Sequence, residues 1–365
     1  MPKTIFYLGA TGFLSGDVLP LLARDFPDDT VRALVRNPTA ERVAKLQALH
    51  PRLVVVAGDL NDAPVIVEEA SKADIVINSA SSDHWPSVRA TLEGLEKNAA
   101  ARPGDPPLYL HVSGCGIISD NIRGEKAENP KFWTDIGLSL DEYVLASPTR
   151  ATSCSPAYLL AARQRTPISS LTNPCIVAAA TRKENPIRSI IVYPGQIYGV
   201  GNGVQKTTLW LRIFMDYAKR VGYAGTWGAG HNAQNTIHVR DLAEAILLVL
   251  RAAREGRADE GADGLYFAVT PTILSYGEWT RAMGDYLSSK GVVKEPGSKP
   301  MPDEIVEPLG HYGWSLLGGN MFAKADRLAR MGWKAVESEK VSLMEVLPAM
   351  IDAALEDDRP YVHIS

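Results

Sequence analysis

The sequence predicts an α/β protein: a Rossmann-type doubly wound parallel sheet with a smaller mixed α/β substrate lobe at the C-terminus. Three observations carry this. Short apolar runs alternate with helical stretches through the first half, a glycine-rich turn closes the first run, and the pattern changes after residue 195. Short runs rich in Val, Ile and Leu suit strands buried on both faces. Strands that alternate with helices make parallel sheets.

The strands are read in order as "TIFYLG" (4–9), "VRALV" (31–35), "LVVVAG" (53–58), "DIVINSA" (74–80) and "LYLHVSG" (108–114), with a sixth, "SIIVYPG", at 189–195. Between them "GDVLPLLARDF", "TAERVAKLQALH", "APVIVEEASK" and "VRATLEGLEKNAA" have helical spacing. Residues 115–186 are less regular, mixing Pro, Ser, Thr and Asn. Beyond 195 come helices in "GVQKTTLWLRIFMDYAKRVGY" and "HVRDLAEAILLVLRAAREG", a strand "GLYFAV", and a helix "SYGEWTRAMGDYLSSKG". We divide the chain into a cofactor domain, 1–195 with 235–270 contributing, and a substrate lobe, 196–234 and 271–365.

Composition narrows the function. Hydrophobic residues make up 45% and charged residues 22% of the 365, with a formal net charge of −4 and mixed signs. This balance argues against nucleic-acid and membrane partners, and runs such as "AEAILLVL" are too short to span a bilayer. Three scattered cysteines (Cys115, Cys154, Cys175) form neither a disulfide framework nor a metal-ligand pattern. The N-terminus "MPKTIFYLG" runs directly into a strand and is read as leaving no room for a signal peptide. A cytoplasmic location follows as the expectation.

The turn "GATGFLSG" is the first chemical signal. In a dinucleotide loop the first glycine allows the sharp turn, the second lets backbone approach the pyrophosphate, and the third lets helix and strand pack closely. Gly9 and Gly12 fill the first two places, Ser15 stands in the third, and Gly16 arrives one residue late. The amides that open the next helix then face the phosphates. We assign Gly9, Ala10, Thr11, Gly12, Phe13 and Leu14 to cofactor binding. Arg36, at the tip of the second strand, takes the place where arginine suits the 2′-phosphate of NADP, with Arg32 on the same strand face. NADP is favoured, with NAD as the alternative. Asp59 and Leu60 are placed to meet the adenine. Ser79, Ala80 and Ser81 lie beside the expected nicotinamide ribose, and Pro194 at the end of the sixth strand joins the cofactor set.

"GATGFLSG", "GDLND", "VINSAS", "HVSG", "IIVYPGQIYGVGNG" and "IHVRDLAEAILLVL" together resemble extended short-chain dehydrogenases/reductases, of the NAD(P)-dependent epimerase/dehydratase branch with NmrA-like relatives. The resemblance implies that Asp241 caps a helix, with His238 packed beneath it in a structural role. It also implies a homodimer and three reactive groups: a serine or threonine after the fifth strand, a tyrosine, and a lysine four residues later. Ser113 matches the first. The YxxxK pair is missing, since Tyr143 is followed by Ser147 and Tyr158 by Ala162. A phenol without its cationic neighbour is a poor base at pH 7, so Tyr143 and Tyr158 are candidate acids without the usual support. Cys115, beside the expected nicotinamide, reads as a small buried filler. Residues 153–174 interrupt what would otherwise be one helix, and two readings stand: a translated, unspliced intron or a family-specific insertion.

Two function classes follow. One is an NAD(P)-dependent oxidoreductase acting on a small organic carbonyl or alcohol, with nucleotide-sugar epimerase or dehydratase chemistry as a variant. The other is a non-catalytic NADP(H) sensor. Trp210, Phe214, Trp227, Trp279 and Trp314 suit an apolar pocket, although aromatic residues at helical spacing belong more often to a core.

Overall fold

A computed structural model describes residues 1–120, 122–140 and 169–357. Tyr143, Tyr158 and most of the 153–174 segment lie outside the described residues. The first half alternates as expected: β1 (Thr4–Leu8), α1 (Ser15–Asp25), β2 (Thr30–Val35), α2 (Ala40–Leu49), β3 (Leu53–Ala57), α3 (Ala63–Lys72), β4 (Ile75–Asn78), α4 (Trp85–Ala101) and β5 (Leu108–Val112). After a short β6 (Trp133–Thr134) come α5 (Ser169–Thr181), β7 (Arg188–Pro194) and β8 (Gln196–Tyr198). Then follow α6 (Leu209–Val221), β9 (Ala224–Thr226), β10 (Ala233–His238), α7 (Val239–Arg254) and β11 (Leu265–Ala268). The chain continues through β12 (Ile273–Ser275), α8 (Tyr276–Ser289), β13 (Ser298–Pro300), α9 (Asp303–Val306) and α10 (Gly310–Gly318). It closes with β14 (Ala323–Lys324), α11 (Asp326–Arg330), α12 (Val336–Lys340) and α13 (Leu343–Leu355).

The seven strands β11-β7-β5-β4-β1-β2-β3 form one parallel sheet. The chain winds outward from β1 in both directions, so the order reverses between β1 and β4. Ligands of such sheets bind at that reversal, beyond the carboxyl ends of the strands. One face carries Ile5, Tyr7, Ile77, Leu110 and Val192 against α1 and α7. The other carries Phe6, Val76, Tyr109, Ile191 and Phe267 against α3, α4 and α5. Burying one Phe or Leu side chain contributes about 1.5–3 kcal/mol, which makes the alternating strand residues the main source of stability.

A separate core fills the second lobe. Phe214, Trp227 and Trp279 are fully buried there with Met283 and Met350, and Trp210 donates its indole N–H to Ile197 O at 2.7 Å. These aromatic residues pack the core of the lobe. Cys175 is disulfide-bonded, a bond the scattered cysteines did not announce.

His238 and Asp241 each cap a helix. His238 is the N-cap of α7, its Nδ1 accepting Arg240 N–H at 3.3 Å. The buried Asp241 carboxylate instead accepts the amides of Glu337 (3.0 Å) and Ser338 (2.6 Å), tying α12 to α7. The carboxylate points away from its own helix because those α12 amides have no other cap.

Asp135 gives a pH-dependent prediction. It is fully buried, and its two oxygens accept Phe267 N–H and Arg327 N–H, each at 3.0 Å. Burial pushes its carboxyl up to about 6, against those hydrogen bonds, which pull it down. The folded state thus holds this proton more tightly than the unfolded chain, whose Asp titrates near ~3.9. The stability it contributes is present at the acid end and declines as pH rises from about 4 to about 6. Urea unfolding of wild type and Asp135→Asn across that range is expected to show this decline in wild type only. Parallel slopes for the two proteins would remove Asp135 as its cause.

Candidate dinucleotide and active site

The turn after β1 is built by close backbone contact. Gly9 has φ +95°, and a Cβ there would lie 2.6 Å from Ala80 N, at the end of β4. Ser15, expected as a compromise in a packing position, has a different task. Its hydroxyl lies 2.7 Å from Gly9 O and 2.9 Å from Gly12 O, so it locks the turn from inside. The close packing falls to Gly16, where a Cβ would sit 2.2 Å from Gly203 N. Gly203 belongs to the "GVGNG" loop, which is held against α1 by Asn202 Nδ2 donating to Asp17 at 2.6 Å.

This turn fits a pyrophosphate. Helix α1 has Leu14 as its N-cap residue and no side-chain cap. The amides of Phe13 and Leu14 donate to no acceptor among the described residues. Uncapped amides at a helix N-terminus, aided by the helix dipole, are suited to an anion.

On the β2 side of the turn, Arg36 is exposed just past the strand, beside Asn37 in the left-handed region with φ 51°. Arg42 donates to Arg36 O (2.8 Å) and Asn37 O (3.1 Å), which fixes that corner. Arg32 does not join it. Its guanidinium forms a two-pronged pair with Glu69, at 2.5 and 2.8 Å, on the sheet face toward α3. Asp59 Oδ1 accepts Asn61 N–H at 2.7 Å, and the half-buried Leu60 packs at the edge of the α3 core.

On the other side, Ser79 Oγ is 3.2 Å from Tyr7 Oη, Ala80 N–H donates to Asn78 Oδ1 (3.0 Å), and Ser81 Oγ accepts Asp83 N–H (3.3 Å). Ser113 follows β5, its amide donating to Val192 O at 2.8 Å, and Pro194 ends β7 two residues further along. Asn173 Nδ2 donates to Ser113 Oγ at 3.1 Å, while its neighbour Thr172 donates to Ser82 O at 2.9 Å. Both sit on α5, which packs on α4 and β7. Cys115 is buried, its thiol donating to Tyr193 O at 3.4 Å, and burial pushes that thiol far up from its ordinary range.

Sequence reasoning missed Thr172, Asn173 and His111. His111 lies in the apolar-looking "LYLHVSG", fully buried, with Nδ1 3.0 Å from Tyr109 Oη, and burial pushes its pKa down to about 3, so it is neutral. No short-range signal marks Thr172 or Asn173, because their partners are far away in the chain. Among the described residues no group of His, Cys, Asp and Glu is suited to a metal ion.

The NmrA-like family model matches residues 1–91, and the NAD dependent epimerase/dehydratase family model matches residues 175–261. Over those stretches the chain is similar to NmrA-like and to NAD dependent epimerase/dehydratase proteins, in keeping with the fold. The chain is 29% identical to the oxidase ucsJ of Acremonium sp over 364 residues, covering 95% of this chain and 97% of that one. Among solved structures, dTDP-glucose 4,6-dehydratase from Bacillus anthracis in complex with NAD superposes with TM-score 0.61 at 13% identity, over 98% and 97% of the two chains. DesIV, a dTDP-glucose 4,6-dehydratase from Streptomyces venezuelae with NAD bound, superposes with TM-score 0.60 at 18% identity, over 97% of each chain.

Proposed function

We propose that the chain is an NADP-dependent oxidoreductase acting on a small organic carbonyl or alcohol. One observation carries the reading: the glycine turn at the sheet reversal and the Ser113 hydroxyl, fixed by Asn173, open on the same end of the sheet. Gly9 to Leu14 would hold the pyrophosphate, Asp59 and Leu60 the adenine, and Ser79 to Ser81 with Pro194 the nicotinamide half. Arg36 would take the 2′-phosphate. When bound, the nicotinamide supplies or accepts a hydride. Because Asn173 donates to Ser113 Oγ, the serine keeps its own proton for a substrate oxygen. Tyr143 and Tyr158 stand as candidate proton donors on sequence alone. The ucsJ likeness supports redox chemistry. The nucleotide-sugar dehydratases share the fold, but epimerisation and dehydration lean harder on a tyrosine–lysine pair than simple reduction does.

The sensor reading has one observation in its favour. Where α5 meets the site it presents Thr172 and Asn173, neither of which titrates. NADPH consumption over a panel of ketones and aldehydes decides between the two. Turnover of any panel member is the expected result; tight NADPH binding without turnover supports the sensor.

A further inference from the structure

Helix α10, from the second lobe, reaches the same end of the sheet. Tyr312 Oη donates to Asp83 Oδ2 at 3.1 Å, and Ser82 Oγ donates to Asp83 Oδ1 at 2.9 Å. Asp83 lies two residues after Ser81, on the loop leaving β4. Leu316, one turn after Tyr312 and on the same helix face, stands over Gly116, where a Cβ would meet Leu316 Cδ1 at 3.3 Å. Gly116 lies three residues after Ser113, and Ser119 Oγ donates to Ser315 O at 2.5 Å. One face of α10 therefore covers both the loop after β4 and the loop after β5.

Helix α5 ties the same two loops together from beneath. Thr172 holds Ser82 and Asn173 holds Ser113, and adjacent residues are about 3.8 Å apart at Cα. The loop that carries Asp83 and the loop that carries Ser113 are thus held by neighbouring residues of α5.

We propose that Tyr312 and Asp83 form the proton relay of this site, in place of the missing tyrosine–lysine pair. The proposal rests on the oxidoreductase reading, which supplies the hydride balance. In alcohol oxidation the substrate O–H proton passes to Tyr312 Oη as the Tyr312 proton passes to the Asp83 carboxylate. The products are a carbonyl, a neutral tyrosine and a protonated Asp83, which releases its proton to solvent. Reduction runs the same path backward. Ser113 holds the substrate oxygen in both directions. Tyr312 is the group that touches substrate, and Asp83 acts through it.

The test uses the full chain with Tyr312→Phe, Asp83→Asn, Tyr143→Phe and Tyr158→Phe. NADPH affinity is read by fluorescence titration, turnover on a panel of alcohols, ketones and aldehydes, and phenol titration by NMR of ring-labelled tyrosine. Tyr312→Phe is expected to lower kcat about 10²–10⁴-fold, the range of general acid–base help, while NADPH affinity holds within about threefold, a change of under ~1 kcal/mol. Asp83→Asn is expected to remove the acid limb of the kcat/KM profile for alcohol oxidation, since no carboxylate remains to be protonated. It should also lower the Tyr312 phenol pKa, because a carboxylate at hydrogen-bond distance disfavours the phenolate. Should Tyr312→Phe fold poorly, 3-fluorotyrosine in place of Tyr312 keeps the shape and is expected to shift the alkaline limb downward. Near-normal turnover in Tyr312→Phe, or a large loss confined to Tyr143→Phe or Tyr158→Phe, overturns the relay and leaves the oxidoreductase reading intact. Wild type that binds no dinucleotide, or binds it and turns over nothing, overturns both.

Discussion

Gly9→Ala is expected to lose dinucleotide binding and much of the stability of the sheet's centre. The added Cβ would lie 2.6 Å from Ala80 N and 2.8 Å from both Ala80 Cα and Ser79 C. All three are backbone atoms of the neighbouring strand exit, so no side chain can swing aside. The residue would also be held at φ +95°, a conformation costing a non-glycine residue about 1–3 kcal/mol. Overpacking of this kind costs about 1–3 kcal/mol more. Their sum is a large share of the ~5–15 kcal/mol that holds a typical domain together. Relief by parting β1 from β4 would open the crevice proposed to hold the dinucleotide. Urea unfolding and NADPH titration check the two effects separately. An alanine protein that binds NADPH with wild-type affinity would show that this contact does not shape the cradle.

On the proposal that Arg36 takes the 2′-phosphate, Arg36→Glu is expected to reverse the cofactor preference. Arg36 is exposed at the tip of β2 on a corner fixed by Arg42, which spends its own guanidinium on the carbonyls of Arg36 and Asn37. Arg32 is occupied by Glu69, so it offers no reserve charge. Charge-assisted hydrogen bonds are worth about 1.5–3 kcal/mol, so losing them weakens NADPH about 10- to 150-fold. A carboxylate at this tip adds repulsion toward the 2′-phosphate and accepts hydrogen bonds from the free ribose of NADH. Parallel titrations of both reduced dinucleotides read the outcome. Unchanged discrimination would place the 2′-phosphate contact elsewhere.

The strands were legible because each is a short, mostly apolar run, and their starts were read to within a residue. Apart from β2, their ends were read too long for a physical reason. In "DIVINSA" the strand stops at Asn78, and Ser79 and Ala80 already belong to the crest loop that meets Gly9. Buried strands and buried loop ends have the same apolar composition, so composition does not separate them. The tight glycine turn was legible as well, apart from the division of labour between Ser15 and Gly16. Contacts across long stretches of chain were not. Arg32 with Glu69, Asp241 with α12, and Tyr312 with Asp83 join residues whose neighbours in sequence carry no mark of the partner. Thr172 and Asn173 add a question for the gene. Both fall inside the 153–174 segment, so a message lacking those codons would encode a chain without either hydrogen bond to the site. A mature transcript that retains the segment in every read would discard the intron reading.

The seam between Gly16 and Gly203 also constrains how this chain can vary. The clash is mutual: a Cβ on Gly16 would meet Gly203, and a Cβ on Gly203 would lie 2.6 Å from Gly16 Cα. Neither position can gain a side chain unless the backbone opposite withdraws. The two codons are therefore expected to drift together among descendants of this gene, each glycine retained on account of the other. The late glycine of the turn would then be inherited with a loop at the far end of the domain, and neither would be kept for a ligand contact of its own.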